Sequence, residues 1–116
     1  MVQITMHVSE ELADRLRSMS SWLPTILEIS LVGFQTVATA TATEVIQFLS
    51  KDPTPQEILD YHVSEQAQVR LQRLLALNAA GMLGEVEQRE LDELQRIEHI
   101  IIMLKAQVAR QGQQGS

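Results

Sequence analysis

The stretch from residue 85 to residue 109 constrains the fold more than any other part of the sequence. Its apolar side chains recur at alternating steps of three and four residues, which predicts a helix with one apolar face. That face is formed by Leu91, Leu94, Ile97, Ile101, Leu104 and Val108. Glu85 with Arg89, and Asp92 with Arg96, are oppositely charged pairs four residues apart, and they favour the same helix. The apolar repeat is too short to indicate a coiled coil.

A second helix is predicted immediately before it, so that the two form a hairpin. Ser64 is a suitable N-cap and Gly81 a suitable C-terminal stop, which places this helix at residues 64 to 80. The turn GMLG then makes the two helices antiparallel within a hairpin region at residues 55 to 110. The second helix is the longer, so its apolar end after Ile101 should extend past its neighbour. The sequence leaves open whether the same chain or another chain covers that end.

The segments before and after the hairpin give weaker signals. Residues 37 to 54 are predicted to be a linker with one short helix, because the Thr/Ala stretch at residues 36 to 44 has no clear period. Thr54 with Glu57 forms a capping box, so a brief helix is expected to begin there. The tail at residues 111 to 116 is polar, and we expect it to be disordered.

The N-terminus alternates between apolar and polar residues in the sequence VQITMHV, which predicts a short β-strand at residues 2 to 8. One face of this strand would carry Val2, Ile4, Met6 and Val8. The other face would carry Gln3, Thr5 and His7. Ser9 then caps a helix, and Pro24 stands at the start of another. A single strand leaves its backbone unpaired, so we expect it to pair with the same strand of a second chain in a homodimer.

The sequence QITMHVSEELADRLRSM, followed by a second amphipathic helix, resembles the ribbon-helix-helix family. The resemblance implies a dimerisation module at residues 1 to 36, in which the apolar strand face is buried between two chains. It also implies that Gln3, Thr5 and His7 face the major groove of DNA. Members that bind DNA commonly carry Arg or Lys on that face, whereas this chain has none there. The first 50 residues contain five acidic and two basic side chains. DNA binding is therefore expected to be weak.

The second half of the chain has a resemblance of its own. The segment FLSKDPTPQEILDYHVSEQAQVRLQRLLALNAAGMLGEVEQRELDELQRIEHIIIMLKAQ looks like part of a group of small bacterial, notably cyanobacterial, proteins that are largely uncharacterised. These proteins look like antitoxin-type proteins encoded beside nuclease-like or toxin-like genes. The resemblance implies a toxin or nuclease-like protein as the partner of this chain.

The sequence contains no motif typical of a catalytic or cofactor site. The chain has no cysteine, and we expect no cofactor and no bound metal. Asp60, His62 and Glu65 are close enough in sequence to hold a metal, but a solvated turn is the simpler interpretation. The net charge of −6 favours a protein partner. The sequence shows neither a signal peptide nor a membrane helix, which predicts a cytoplasmic protein.

These observations predict a mainly α protein with a short N-terminal β-strand that pairs in a dimer, followed by short helices and a C-terminal antiparallel hairpin. Its predicted function is that of a non-enzymatic, antitoxin-like module that homodimerises and binds a partner protein through its helical C-terminal half. The predicted partner-binding residues are Glu87, Glu90, Glu93, Leu94, Ile97, Ile101, Leu104 and Val108. Two alternatives stay open: a transcriptional regulator that binds DNA through the strand pair, and a structural subunit of a larger assembly.

Overall fold

The computed structural model describes residues 2–114, with the side chains of residues 2–112. Every regular element in these residues is helical, so the predicted mainly α class is confirmed. The elements are α1 (Glu10–Arg17), a 3₁₀ turn (Ser20–Trp22), α2 (Leu23–Leu31), α3 (Ala38–Ser50), α4 (Pro55–Asp60), α5 (Glu65–Ala79) and α6 (Glu85–Gln114). Met1 of the predicted dimerisation module and residues 115–116 of the predicted tail lie outside the described residues.

The predicted N-terminal β-strand is wrong, because residues 2–8 belong to no strand or sheet. The predicted inner residues Val2, Ile4, Met6 and Val8 and the predicted outer residues Gln3, Thr5 and His7 are all exposed. Alternation shows that a segment would suit a half-buried strand, but a strand exists only where a neighbour pairs with its backbone. Residues 2–114 contain no such neighbour.

Helix α1 begins where the sequence predicts. The Ser9 hydroxyl accepts a hydrogen bond from the backbone N–H of Leu12 at 3.1 Å, and two acids occupy the first turn, where the helix dipole favours them. The 3₁₀ turn then leads into α2. Within that turn the Trp22 indole Nε1 donates a hydrogen bond to the carbonyl oxygen of Pro53 at 2.9 Å. The start of α2 is therefore fastened to the segment that precedes α4.

Helix α3 corrects the prediction of a linker in the Thr/Ala stretch. Its buried side chains are Ala38, Ala42, Val45 and Leu49, which repeat at the steps of four and three that one helix face requires. Two of the four are alanines, and their small size hid the period. The prediction of a disordered tail is corrected as well, because α6 continues to Gln114.

Helix α6 is the central element, and it packs against α2, α3, α4 and α5. Gly81 adopts a left-handed conformation with φ of 69° and ends α5, so that α6 returns antiparallel to it. The predicted hairpin is therefore confirmed. Ile100, Leu104 and Val108 are buried, which answers the question left open by the sequence. The same chain covers the apolar end of α6.

Candidate interaction surface

The structure places most of the predicted partner-binding residues inside the chain. Leu94, Ile97, Leu104 and Val108 belong to the hydrophobic core, and Ile101 is half-buried beside it. The apolar face that the sequence reveals is therefore the face that α6 turns toward its own chain. We do not assign the fully buried members of this set to a partner contact.

Glu93 is buried and holds the start of α3 in place. Its carboxylate accepts hydrogen bonds from the backbone N–H groups of Gln35 at 3.0 Å and Thr36 at 3.2 Å, and from the Thr36 hydroxyl at 2.6 Å. Burial alone would raise the pKa of this carboxyl, but the hydrogen bonds from Thr36 and Gln35 and the charge of Arg89 outweigh it and lower the pKa. Glu93 thus caps the backbone of the segment that enters α3, and the Thr36 hydroxyl that it binds accepts a hydrogen bond at 3.1 Å from the Ala38 N–H at the start of the helix.

Glu90 is also buried, and Arg70 of α5 neutralises it. The guanidinium donates through Nε at 2.7 Å and through Nη2 at 2.9 Å, one bond to each carboxylate oxygen. Glu87 accepts a hydrogen bond from the backbone N–H of Gly84 at 3.3 Å and so helps to begin α6. The three acids predicted to steer a basic partner therefore all have bonds within the chain.

Replacing Arg70 with alanine is expected to lower the free energy of unfolding by about 2 kcal/mol. The buried carboxylate of Glu90 would lose its counter-charge, although water can reach a site whose arginine is itself partly exposed. The double variant Arg70→Leu with Glu90→Leu should recover most of that loss, because it removes both charges. Urea denaturation of the single and double variants measures the difference. A double variant as unstable as Arg70→Ala would contradict this account of the pair.

An open apolar groove runs along one side of α5, between α5 and the C-terminal half of α6. We call it the α5–α6 groove, and its volume is about 390 Å³. Its apolar lining includes Leu71, Leu75, Leu94, Ile97, Ile101 and Ile102. Ile102 is 55% exposed and Leu75 is 40% exposed, so the rim of the groove is apolar as well as its floor.

Tyr61 lines one end of this groove, and neighbouring residues hold it in place. Its ring stacks on Phe48 with centroids 4.1 Å apart, and the Lys105 ammonium donates a hydrogen bond to its carbonyl oxygen at 2.5 Å. Burial and the charge of Glu44 raise the pKa of the phenol to about 12. Tyr61 therefore remains neutral at physiological pH, and the charge at this end of the groove is that of Lys105.

A second groove lies on the opposite side of α5, toward α3, and its volume is about 540 Å³. Its rim carries the exposed side chains of Val37 and Val69 together with Arg73. Helix α5 thus has an open groove on each side, and Leu74 is the fully buried residue among its own side chains. This arrangement makes α5 the most accessible part of the hairpin.

No group of side chains that could hold a metal ion accompanies these grooves in residues 2–112. Asp60, His62 and Glu65 do not form a group that could hold a metal ion, and no other set of His, Asp or Glu side chains does so in that range. None of the helices in the described part of the chain is both long enough and apolar enough to cross a membrane.

Comparisons with known proteins add no relationship, since no protein family, curated protein or solved structure matches the chain. The resemblances noted in the sequence therefore stay predictions.

The sequence prediction missed several residues that form this surface. Leu71, Leu75 and Ile102 lie beside the predicted seam, and a single apolar stripe per helix does not include them. The signal that could have revealed Ile102 is the uninterrupted run Ile100–Ile101–Ile102, which is wider than one buried helix face. Of the predicted residues, Leu94, Ile97 and Ile101 line the groove, and Ile101 lies half-buried.

Proposed function

We propose that this chain is a non-enzymatic, antitoxin-like interaction protein that forms homodimers and binds a partner protein through its helical C-terminal half. The observation that carries the proposal is the open α5–α6 groove, whose rim and floor are both apolar. Its volume falls within the ~300–1,000 Å³ typical of cavities that hold a bound ligand. A contiguous exposed apolar surface of this kind marks an interaction site.

Charge adds a preference for the kind of partner. The chain has a net charge of −6, so its long-range field attracts basic proteins. Inside the groove, Glu98 and Lys105 offset each other. The acidic field would therefore govern the rate of encounter with a basic toxin or nuclease-like protein, and the apolar groove would supply the affinity.

The two alternative functions differ in whether the structure retains the surface that each would use. DNA recognition by a pair of N-terminal strands is not carried forward, because residues 2–8 form no strand. A structural subunit would use the same groove, and the identity of the bound partner distinguishes it from an antitoxin-like protein.

Capture from an extract of the source organism tests the proposed function. The tagged chain is expected to retain one stoichiometric protein after nuclease treatment, read by mass spectrometry. Ile102→Glu should reduce that capture at least tenfold, because a charge at the groove rim must then be desolvated. Ile102 is more than half exposed, so this substitution leaves the core intact.

Val86→Glu is the matched control, since Val86 is an aliphatic residue of the same helix that is 74% exposed and lines neither groove. Its capture of the partner should equal that of the unchanged chain. Equal capture by all three chains would rule out the groove as the contact. Retention of nucleic acid alone would argue against a protein partner.

A further inference from the structure

We propose that the α5–α6 groove holds residues 2–8 of a second copy of this chain, so that two chains exchange these segments. We call residues 2–8 the N-terminal arm. The inference rests on the homodimerisation in the proposed function, and it names the contact that would produce it.

The arm is the first half of the argument. It belongs to no regular element and each of its residues is exposed, with Ile4 leaving 79% of its surface in water. Every second residue of the arm is apolar, and none is Asp, Glu, Lys or Arg. Burial of Val2, Ile4 and Met6 in a complex would remove their apolar surfaces from water, which favours association. None of the residues whose side chains the structure describes covers the arm.

The groove is the second half of the argument. Its lining is aliphatic, its two charges Glu98 and Lys105 are opposite in sign, and Gln68 and Gln72 stand on its α5 side. The amide of Gln72 can both donate and accept hydrogen bonds, which suits the polar backbone of an extended segment. A groove without net charge matches a segment without formal charge.

The charge of the remaining surface points to a second copy as the occupant. Two chains that each carry −6 repel one another at long range, so surfaces that are neutral and apolar suit an association between them. The arm and the groove are such a pair. Reciprocal exchange places each arm in the other chain's groove and closes the assembly with two-fold symmetry.

This arrangement also regulates the proposed function. The arm and a partner protein would compete for one groove, so a partner would have to displace the arm of the second chain. Loss of the arm would then increase capture of the partner, whereas loss of the groove would abolish it.

Cysteine cross-linking of the full-length chain tests the exchange directly, because the chain has no cysteine of its own. Chains with Val2→Cys, Ile4→Cys or Met6→Cys are each mixed with a chain of different mass that carries Ile102→Cys, and then oxidised. At least one arm position should give the mixed dimer at ten times the yield obtained with Val86→Cys in place of Ile102→Cys. All five positions are exposed, so each variant should fold.

Any one of three results would overturn the inference. The mixed dimers could be no more abundant with Ile102→Cys than with Val86→Cys, or the Ile4→Cys chain alone could form mainly arm-to-arm dimers. A chain that carries both an arm cysteine and Ile102→Cys could also form the disulfide within itself. The cross-linking uses the purified chain without any partner protein. Its failure is therefore distinguishable from failure of the capture experiment.

Discussion

Replacing Glu93 with alanine is expected to lower the free energy of unfolding by about 3 kcal/mol, as judged from the cost of leaving buried donors without acceptors. Three donors lose their acceptor together: the backbone N–H groups of Gln35 and Thr36 and the Thr36 hydroxyl. All three lie at the entrance to α3, so the first turn of that helix should fray before the rest. Urea denaturation followed by the fluorescence of Trp22, the single tryptophan, measures the change.

Glu98→Ala is the matched control for this prediction. Glu98 is an exposed acid on the same helix, and its replacement should change stability by no more than about 0.5 kcal/mol. Equal losses from both substitutions would contradict a capping role for Glu93.

The same carboxylate makes stability depend on pH in a defined direction. The folded state lowers the Glu93 pKa below its ordinary value of 4.5, so the unfolded state binds the proton more readily. Its contribution is therefore complete above pH 4.5 and is lost as the pH falls through the folded-state pKa. The Glu93→Ala variant should lose less stability than the unchanged chain over that acidic range.

The elements that the sequence predicts correctly are those set by neighbouring residues. The Ser9 cap, the Gly81 turn and the α5–α6 hairpin depend on residues within one or two helical turns of each other. The elements it misses depend on distant partners. The strand at residues 2–8 needed a second strand that the described chain does not supply. The segment that enters α3 is held by hydrogen bonds to Glu93, which is 57 positions from Thr36 in the sequence.

The interaction surface also depends on contacts between distant residues, which the sequence pattern does not reveal. Periodicity identifies the apolar face of α6, but it does not say which neighbouring helix covers that face. Because α2, α3 and α4 pack against α6, the residues at the centre of its stripe are core. The residues left open are those at its edge, such as Ile102, and those on the exposed side of α5, such as Leu75. Whether a residue is exposed at a groove therefore depends on how the helices pack in the folded chain.

Replacing Leu74 with alanine is expected to lower the free energy of unfolding by about 3 kcal/mol, within the range for a buried leucine. Leu74 is 0% exposed and is the fully buried side chain of α5. Helix α5 has a groove on each side, so it can shift partly into the space that the substitution leaves. This shift should keep the loss of unfolding free energy below the upper end of that range. The destabilisation should then be greatest in α5 itself.

Leu75→Ala provides the closest control that the chain offers, because the same residue type stands at the next position and is 40% exposed. It should cost about 1 kcal/mol, since about two-fifths of the Leu75 surface is already in contact with water, whereas none of the Leu74 surface is. Hydrogen exchange should show faster exchange of the amides of residues 65–79 in Leu74→Ala, while the amides of α3 stay protected. Uniform acceleration across α2, α3 and α6 would instead mean that α5 unfolds only with the whole chain. In that case the grooves beside α5 could not widen to admit a partner without loss of the fold.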